Sequence, residues 1–159
     1  MNLIKNPSLE SNSNWATASW GGTNSFTAVS DSSQKYFGQK SMKINCTSYS
    51  GDSRSRVYQD FSNAVLKPGG TYTLSGYIKT VGVTNGSENS GALLCAESFN
   101  SDGTSNLYYT DFVYGNTTTS IDNGWQRVSK TFTVPSNSSK TRVNLALRQS
   151  TGTAYFDGI

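Results

Sequence analysis

The sequence predicts an all-β fold, and three features of its 159 residues support that prediction. Charged residues make up only 14% of the chain, which argues against long helices or a coiled coil. Aromatic residues make up 12%, including nine Tyr and seven Phe, which argues against disorder. Apolar residues recur at every second position in many short segments, whereas the spacing of an amphipathic helix is absent.

The alternation of apolar and polar residues divides the chain into about eleven short strands. The expected strands, in order, are Leu3-Ile4, Trp15–Trp20, Ser25–Val29, Ser41–Thr47, Ser55–Phe61, Tyr72–Ile78, Ala92–Glu97, Leu107–Tyr114, Val128–Val134, Val143–Arg148 and Thr153–Phe156. Turn-forming residues separate them at Gly21-Gly22, Pro68-Gly69-Gly70, Asn85-Gly86, Asp102-Gly103, Asn123-Gly124 and Asn137-Ser138-Ser139.

Strands with one apolar and one polar face form sheets that bury one side and expose the other. Two such antiparallel sheets must share one core. A chain of this length buries one sizeable core and has no room for a second. We therefore expect residues 1–159 to form a single domain, a jelly-roll β-sandwich of two antiparallel sheets.

Charge and composition exclude several classes of function. The net charge of +3 arises from 13 Lys and Arg against 10 Asp and Glu, and no two basic residues are adjacent. This pattern predicts neither a nucleic acid partner nor an anionic lipid surface. No apolar stretch reaches the roughly 18 residues of a membrane span, so no membrane insertion is expected. The chain has no His, which removes Ser-His and Cys-His nucleophile pairs and imidazole zinc ligands.

The two cysteines, Cys46 and Cys95, are too far apart in sequence for a C-x-x-C motif. Cys46 alternates with Met42 and Ile44, whereas Cys95 alternates with Leu93 and Glu97. We interpret them as two free, small hydrophobic residues; a disulfide between them is the alternative.

The alternation also predicts which side chains face outward. Arg56, Tyr58, Glu97, Asn144 and Arg148 fall on outward positions, as does Trp125. Sugars present flat C–H faces that stack on aromatic rings, and hydroxyl groups that hydrogen bond to carboxylates, amides and guanidinium groups. An outer face of this composition therefore suits a saccharide. The alternative is that Tyr and Trp are simply common on exposed β-sheets.

Five segments of the chain together resemble a known family. They are the opening NLIKNPSLE with Trp15, then Gly38–Ile44, Pro68–Tyr77, Gly124–Pro135 and Gly152–Asp157. In this order they resemble bacterial carbohydrate-binding modules of the jelly-roll superfamily that includes families four, nine, sixteen and twenty-two, and most of all family sixteen. The resemblance covers essentially the whole chain.

The resemblance implies a non-catalytic module that binds a β-linked polysaccharide, such as a glucan, mannan or xylan. By similarity to family sixteen, Trp20 and Trp125 are the expected stacking platforms, while Trp15 occupies a core position. The expected hydrogen-bonding residues are Arg56, Tyr58, Glu97, Asn144 and Arg148.

The resemblance also implies a structural calcium ion. Glu10 and Asp157 would supply two carboxylates, and backbone carbonyls near Ser8 and in the turn from Phe37 to Lys40 would complete the shell. Calcium takes six to eight oxygen ligands and commonly combines these two types. The alternative is that both carboxylates are solvated or paired with Lys.

Two further functions compete with sugar binding. Similar modules occur in large bacterial surface proteins with YD repeats, so the alternative is a structural or adhesive spacer without a sugar ligand. A glycosidase needs two carboxylates facing each other across a cleft, and the ten carboxylates are scattered over loops, so we do not expect an enzyme.

The chain ends read as those of a module cut from a larger, exported protein. We expect it to be secreted or on the cell surface, monomeric, and covalently linked to neighbouring domains.

Overall fold

The structure, a computed structural model, describes residues 1–84, 89–115 and 124–159. Its strands are β1 (Ala16–Trp20), β2 (Thr23–Asp31), β3 (Ser41–Ser50), β4 (Arg54–Ser62), β5 (Thr71–Val81), β6 (Gly91–Asn100), β7 (Ser105–Tyr109), β8 (Gln126–Thr133), β9 (Ser138–Arg148) and β10 (Gly152–Asp157). Within the described ranges, no helix has the length and apolar character needed to cross a membrane.

The strands form two five-stranded sheets. The first sheet has the order β1-β4-β9-β6-β7 and the second has the order β2-β3-β10-β5-β8. Every pair of neighbouring strands is antiparallel. The predicted jelly-roll β-sandwich is therefore confirmed.

The core lies between the sheets and is built from the alternating apolar residues. Ile44 and Phe156 from the second sheet and Val57, Leu94 and Leu145 from the first are almost completely buried there. Burying each such side chain stabilises the fold by about 1.5–3 kcal/mol. Because the strand period is two, the residues between them must face outward from their sheet.

Ten of the eleven expected strands are present with shifted ends, and two expectations differ most from the structure. Leu3-Ile4 is not a strand; the Gln59 side chain holds this segment instead, accepting a hydrogen bond from the Lys5 amide at 3.1 Å. β7 ends at Tyr109, earlier than expected, and the described chain beyond it makes isolated bridges between Val113 and Ala92 and between Gly115 and Val83. The turns expected at Asn85-Gly86 and at Asn123 lie outside the described residues.

The Gly21-Gly22 turn connects β1 of the first sheet to β2 of the second. Gly21 has φ +64°, and a Cβ atom there would lie 2.0 Å from the carbonyl oxygen of Asp52. Only glycine fits such a close approach with positive φ. The turn thereby places Trp20, the last residue of β1, beside the start of β4.

The two cysteines are free, as predicted, and the disulfide alternative is wrong. Cys46 belongs to the core between the sheets. Cys95 faces the opposite way, into a small apolar cluster with Leu93 and Ala146 on the outer side of the first sheet. The two thiols therefore lie on opposite sides of the first sheet.

Candidate functional site

The outer face of the first sheet collects most of the polar and aromatic side chains that the sequence singled out. Strand register places Tyr58, Asn144, Cys95 and Tyr109 opposite one another across β4, β9, β6 and β7. We call this surface the arginine face and define it by its members Trp20, Arg54, Arg56, Tyr58, Asp60, Glu97, Tyr109, Arg142, Asn144 and Arg148. Its position follows from the core, because outward residues alternate with buried ones.

Six of the seven sugar contacts expected from the sequence lie on this one surface. They come from four different strands: Trp20 from β1, Arg56 and Tyr58 from β4, Glu97 from β6, and Asn144 and Arg148 from β9. The fold thus brings together residues that are up to 128 positions apart, from 20 to 148, in the sequence.

Trp125 is not part of this surface. Its side chain is only 5% exposed, so the expectation of a solvent-facing stacking platform is wrong. It precedes β8 of the second sheet and packs with its ring centre 5.9 Å from that of Tyr36. Tyr36 in turn stacks on Tyr77 at 3.9 Å. Trp125 is buried because the segment that carries Tyr36 folds over this part of the second sheet.

The centre of the arginine face is buried, although its residues point away from the core. Arg56, Glu97 and Asn144 are 7%, 4% and 4% exposed. The Nη1 atom of Arg56 donates to Oδ1 of Asn144 at 3.1 Å and lies 3.5 Å from Oε2 of Glu97. Burial, followed by the nearby charge of Arg142, lowers the pKa of Arg56. These three residues were expected to present their polar tips to water, and they instead bond to one another.

Trp20, Arg54 and Tyr109 cover this buried centre. The guanidinium carbon of Arg54 lies 3.7 Å from the Trp20 ring centre, which is the geometry of a cation–π contact. The Nη2 atom of Arg54 donates to the Tyr109 hydroxyl at 2.8 Å. The cavity enclosed beneath them has a volume of about 10 Å³, roughly enough for one water molecule.

The polar groups reach solvent at the two ends of the face. At one end, both nitrogens of the Arg142 fork contact Asp60, at 2.7 and 3.0 Å, and its guanidinium carbon lies 3.9 Å from the Tyr58 ring centre. At the other end, Arg148 Nε donates to Asp52 at 3.0 Å. The hydrogen bonds from Arg142 and Arg148 lower the pKa of Asp60 and Asp52, respectively, so both carboxylates stay ionised.

An open cleft adjoins the face along β1 and β4. Its volume is about 660 Å³, which falls within the usual size of small-molecule sites. Tyr58 and Asp60 line both the cleft and the arginine face, while Lys5, Trp15 and Val65 line the cleft alone. The sequence did not indicate this cleft, because the N-terminal segment that forms one wall was expected to be a strand.

The residues expected to bind calcium converge in part. Asp157 Oδ2 accepts hydrogen bonds from the amides of Tyr36 and Phe37, and Glu10 accepts one from the Gln39 amide at 2.9 Å. Both carboxylates therefore contact the same turn. Burial, opposed by the amide bonds and reinforced by the charge of Glu10, raises the pKa of Asp157.

Ser8 and Lys40 flank these segments, with a half-buried and an exposed side chain. In the part of the chain that the structure describes, no group of three or more His, Cys, Asp or Glu side chains is arranged to hold a metal ion. A cation at the turn would therefore depend on two carboxylates and on backbone carbonyls, which are ligands that suit calcium.

Sequence reasoning missed three prominent members of the arginine face: Arg54, Tyr109 and Arg142. The two arginines carried a signal, because Arg54 is two positions from Arg56 and Arg142 is two positions from Asn144. Residues at even spacing on a strand share a face. A search for adjacent basic residues overlooks a charge cluster of this kind.

Comparison with known proteins adds to these observations. Residues 1–152 match the family model for carbohydrate-binding modules of families 4 and 9, described as Carbohydrate binding domain. The CBM22-1 xylan-binding domain from Paenibacillus barcinonensis Xyn10C has a TM-score of 0.63 at 14% identity, over 95% of this chain and 87% of that one. A Family 16 Carbohydrate Binding Module-2 has a TM-score of 0.63 at 21% identity, over 98% and 96%.

A third solved structure, TmCBM61 in complex with beta-1,4-galactotriose, has a TM-score of 0.58 at 13% identity, over 99% of this chain and 95% of that one. No curated protein matches the sequence. The structural similarities extend over both five-stranded sheets, and the family model spans all but the last seven residues, from 153 to 159. This chain therefore belongs to the carbohydrate-binding domain family.

Proposed function

We propose that the chain is a non-catalytic module that binds a β-linked polysaccharide, such as a glucan, mannan or xylan, across the arginine face. The observation that carries the proposal is that six predicted sugar contacts, from four strands, lie on one sheet face beside an open cleft. The similar structures include a xylan-binding domain and a module bound to a galactotriose, which supports a saccharide ligand.

Aromatic stacking would supply part of the affinity. Trp20 and Tyr58 are half-buried, and each has a guanidinium group against its ring, Arg54 at 3.7 Å and Arg142 at 3.9 Å. These contacts fix the orientation of the rings before any ligand arrives, which reduces the entropy lost on binding. A sugar ring stacked on each aromatic ring adds about 1 kcal/mol.

Polar contacts would come from the ends of the face rather than from its buried centre. Arg148 and Asp60 reach solvent, and the cleft extends from Asp60 along β4. Guanidinium groups donate to sugar hydroxyls and carboxylates accept from them. Arg56, Glu97 and Asn144 would then hold the surface together from beneath.

Asp60 and Asp52, the two carboxylates at the ends of the face, do not suit glycoside hydrolysis. A glycosidase needs one carboxylic acid that remains protonated near neutral pH, and therefore a raised pKa. Hydrogen bonds from Arg142 and Arg148 lower the pKa of Asp60 and Asp52 instead. This difference supports a binding role without catalysis.

We also propose a structural calcium ion at the turn that Glu10 and Asp157 share. Asp157 is fully buried and its pKa is raised, so its ionised form is unfavourable there without a cation. Gly38 has φ +62°, and a Cβ atom there would lie 1.8 Å from Glu10 Oε1. Glycine at this position lets the Glu10 carboxylate approach the turn. Carbonyls near Ser8 and from Phe37 to Lys40 would complete the shell.

The proposed setting is an exported, modular protein. Similar structures include a tandem CBM22-1-CBM22-2 pair, of which this chain covers 43%, and a bacteriophage tailspike, of which it covers 20%. Such arrangements support covalently linked neighbouring domains. We also propose a secreted or cell-surface location and a monomeric module that binds polysaccharide.

The test is affinity gel electrophoresis on a panel of soluble glucans, mannans and xylans. We expect retardation on at least one polysaccharide, and W20A and Y58A should each reduce it by about fivefold or more. The matched control is F37A, because Phe37 is an exposed aromatic residue outside the arginine face. Unchanged retardation of W20A and Y58A would contradict the proposed surface.

The second candidate function is a structural or adhesive spacer without a sugar ligand. One observation favours it: the centre of the arginine face is filled by its own side chains, which bond to one another. Failure of the wild-type chain to bind any polysaccharide of the panel would support this alternative.

A further inference from the structure

The arginine face carries a net positive charge. Its four arginines, Arg54, Arg56, Arg142 and Arg148, are joined by Lys140, two positions before Arg142 on β9. The carboxylates that pair with these five cations are Asp52, Asp60 and Glu97. Five cations against three carboxylates leave an excess of two, out of a net charge of +3 for the chain. Arg127, the one other arginine of the sequence, lies on β8 of the second sheet.

Ion pairing within the face does not account for all of these arginines. Arg142 and Arg148 contact carboxylates at 2.7 and 3.0 Å. Arg54 and Arg56 lie farther from theirs, at 3.7 Å from Asp52 and 3.5 Å from Glu97. Both are more than nine-tenths buried, and the Nε atom of each is buried without a hydrogen-bond partner. Leaving a buried charged donor unpaired costs stability.

Binding of an uncharged saccharide does not explain why Arg54 and Arg56 are buried without a full set of partners. Sugar hydroxyls are equally well served by neutral Asn, Gln or Tyr side chains. Buried charged groups that lack a full set of hydrogen-bond partners are expected where they serve a ligand. The excess charge therefore indicates what kind of saccharide the face prefers.

We propose that the polysaccharide bound by the arginine face carries carboxylate groups, as a polymer containing uronic acid residues does. This inference rests on the proposed function and specifies its ligand class. The contact of Arg142 with both oxygens of Asp60 shows the forked geometry in which arginine recognises a carboxylate. A carboxylate is therefore the anion that the geometry on this face matches best.

The partly exposed arginines are the points that such a ligand would meet first. The side chains of Arg142 and Arg148 are 13% and 15% exposed, and they lie six residues apart on β9, or about 20 Å. A polymer spans this distance, whereas a monosaccharide does not. The buried Arg54, opposite Arg148, and the buried Arg56, opposite Ala146, add to the positive potential without touching the ligand.

The decisive experiment compares one oligosaccharide in two chemical forms. An oligomer containing uronic acid and its carboxyl-reduced derivative have the same linkages and differ only in charge. Isothermal titration calorimetry on the whole chain should give about tenfold or greater preference for the acidic form at about 0.02 M NaCl. The preference should largely disappear at about 0.5 M NaCl, where the Debye length is near 4 Å.

A pair of variants locates the effect on the face. R148Q removes one charge from it, and R127Q removes the same charge from the second sheet. We expect R148Q to lose about threefold or more of the affinity for the acidic oligomer, and R127Q to change it by less than about 1.5-fold. Binding of the carboxyl-reduced oligomer should be affected less by R148Q.

The outcomes separate this inference from the proposed function. Equal affinity for the two forms would overturn the preference for carboxylates and leave polysaccharide binding intact. Equal losses in R148Q and R127Q would overturn the assignment of the preference to the arginine face. Absence of binding to the acidic form and to every neutral polysaccharide would overturn the proposed function together with the inference.

Discussion

Arg54 on β4 donates a hydrogen bond from Nη2 to the hydroxyl of Tyr109 on β7, at 2.8 Å. Two strands, β9 and β6, lie between them in the sheet. The two long side chains therefore reach across Ala146 and Leu93, which line the small cavity below them. This bond closes the centre of the arginine face and explains why its inner residues are buried.

We predict that Y109F destabilises the chain by about 1–3 kcal/mol, because it leaves a buried guanidinium donor without its acceptor. The matched control is Y108F at the neighbouring residue. Its hydroxyl donates to the Thr133 carbonyl at 3.0 Å in an exposed position, where water can replace it. Urea unfolding monitored by tryptophan fluorescence gives both free energies. Equal losses of unfolding free energy in Y109F and Y108F would show that the bond to Arg54 stabilises the chain no more than the exposed bond of Tyr108 does.

Acid should weaken the fold through Asp60 and Asp52. Their pKa values lie below the ordinary value of 3.8, because Arg142 and Arg148 donate hydrogen bonds to them. Their ionised forms therefore stabilise the folded state above the unfolded pKa, and this contribution is lost as pH falls through the folded pKa. Asp157 has the opposite effect on the pH dependence of stability. Burial raises its pKa above 3.8, so ionising this carboxyl group destabilises the folded state as the pH rises.

We predict that D60N lowers the Tm at neutral pH and flattens the fall in Tm between about pH 5 and pH 2. The reason is that the substitution removes one carboxylate whose protonation drives the fall. D111N, at an exposed loop carboxylate, is the control. Differential scanning calorimetry across this pH range gives the slopes. A slope for D60N as steep as that of the wild type would contradict the prediction.

Calcium should stabilise the chain through Glu10 and Asp157. A ligand at one hundred times its Kd adds about 2.7 kcal/mol, or roughly 5–10 °C in Tm for a chain of this size. We predict a rise of this order on adding calcium, its reversal by a chelator, and a smaller rise in E10Q. D102N removes an exposed carboxylate from a distant turn and should respond like the wild type. An equal rise in E10Q, or none in the wild type, would argue against the proposed ion.

Both thiols should be unreactive in the folded chain. Cys46 and Cys95 are buried, and burial, followed by the charge of Glu97, raises the pKa of Cys95 to about 12. Since the thiolate is the reactive form, an aromatic disulfide reagent should label neither residue at neutral pH and should label both after unfolding in guanidinium. Rapid labelling of the folded chain would show that one thiol is accessible.

The strand pattern predicted the fold and most of the candidate surface, because alternation assigns each residue to a face without reference to its distant partners. Arg56, Tyr58 and Asn144 were placed on the correct side of their strands in this way. Their burial was not predictable, since it depends on Arg54 and Tyr109 meeting above them from strands that are far apart in sequence. Local periodicity carries no information about such long-range contacts.

The burial of Trp125 was likewise not predictable from local alternation. Its position in the alternation is outward, but Tyr36 packs against it from a segment that contains no strand. That segment is held by hydrogen bonds from the amides of Tyr36 and Phe37 to Asp157. Only the meeting of residues near the two ends of the chain determines whether Trp125 is covered.

We propose that a saccharide lies across the outer face of the first sheet. The most direct measurement is the mapping of backbone amide NMR shifts while the chain is titrated with the tightest-binding oligosaccharide of the panel. We predict that the largest changes occur in β1, β4, β6, β7 and β9, and around Trp20, Tyr58 and Arg148. Changes concentrated instead in β3, β5 and β10 of the second sheet, near Tyr36 and Tyr77, would contradict it.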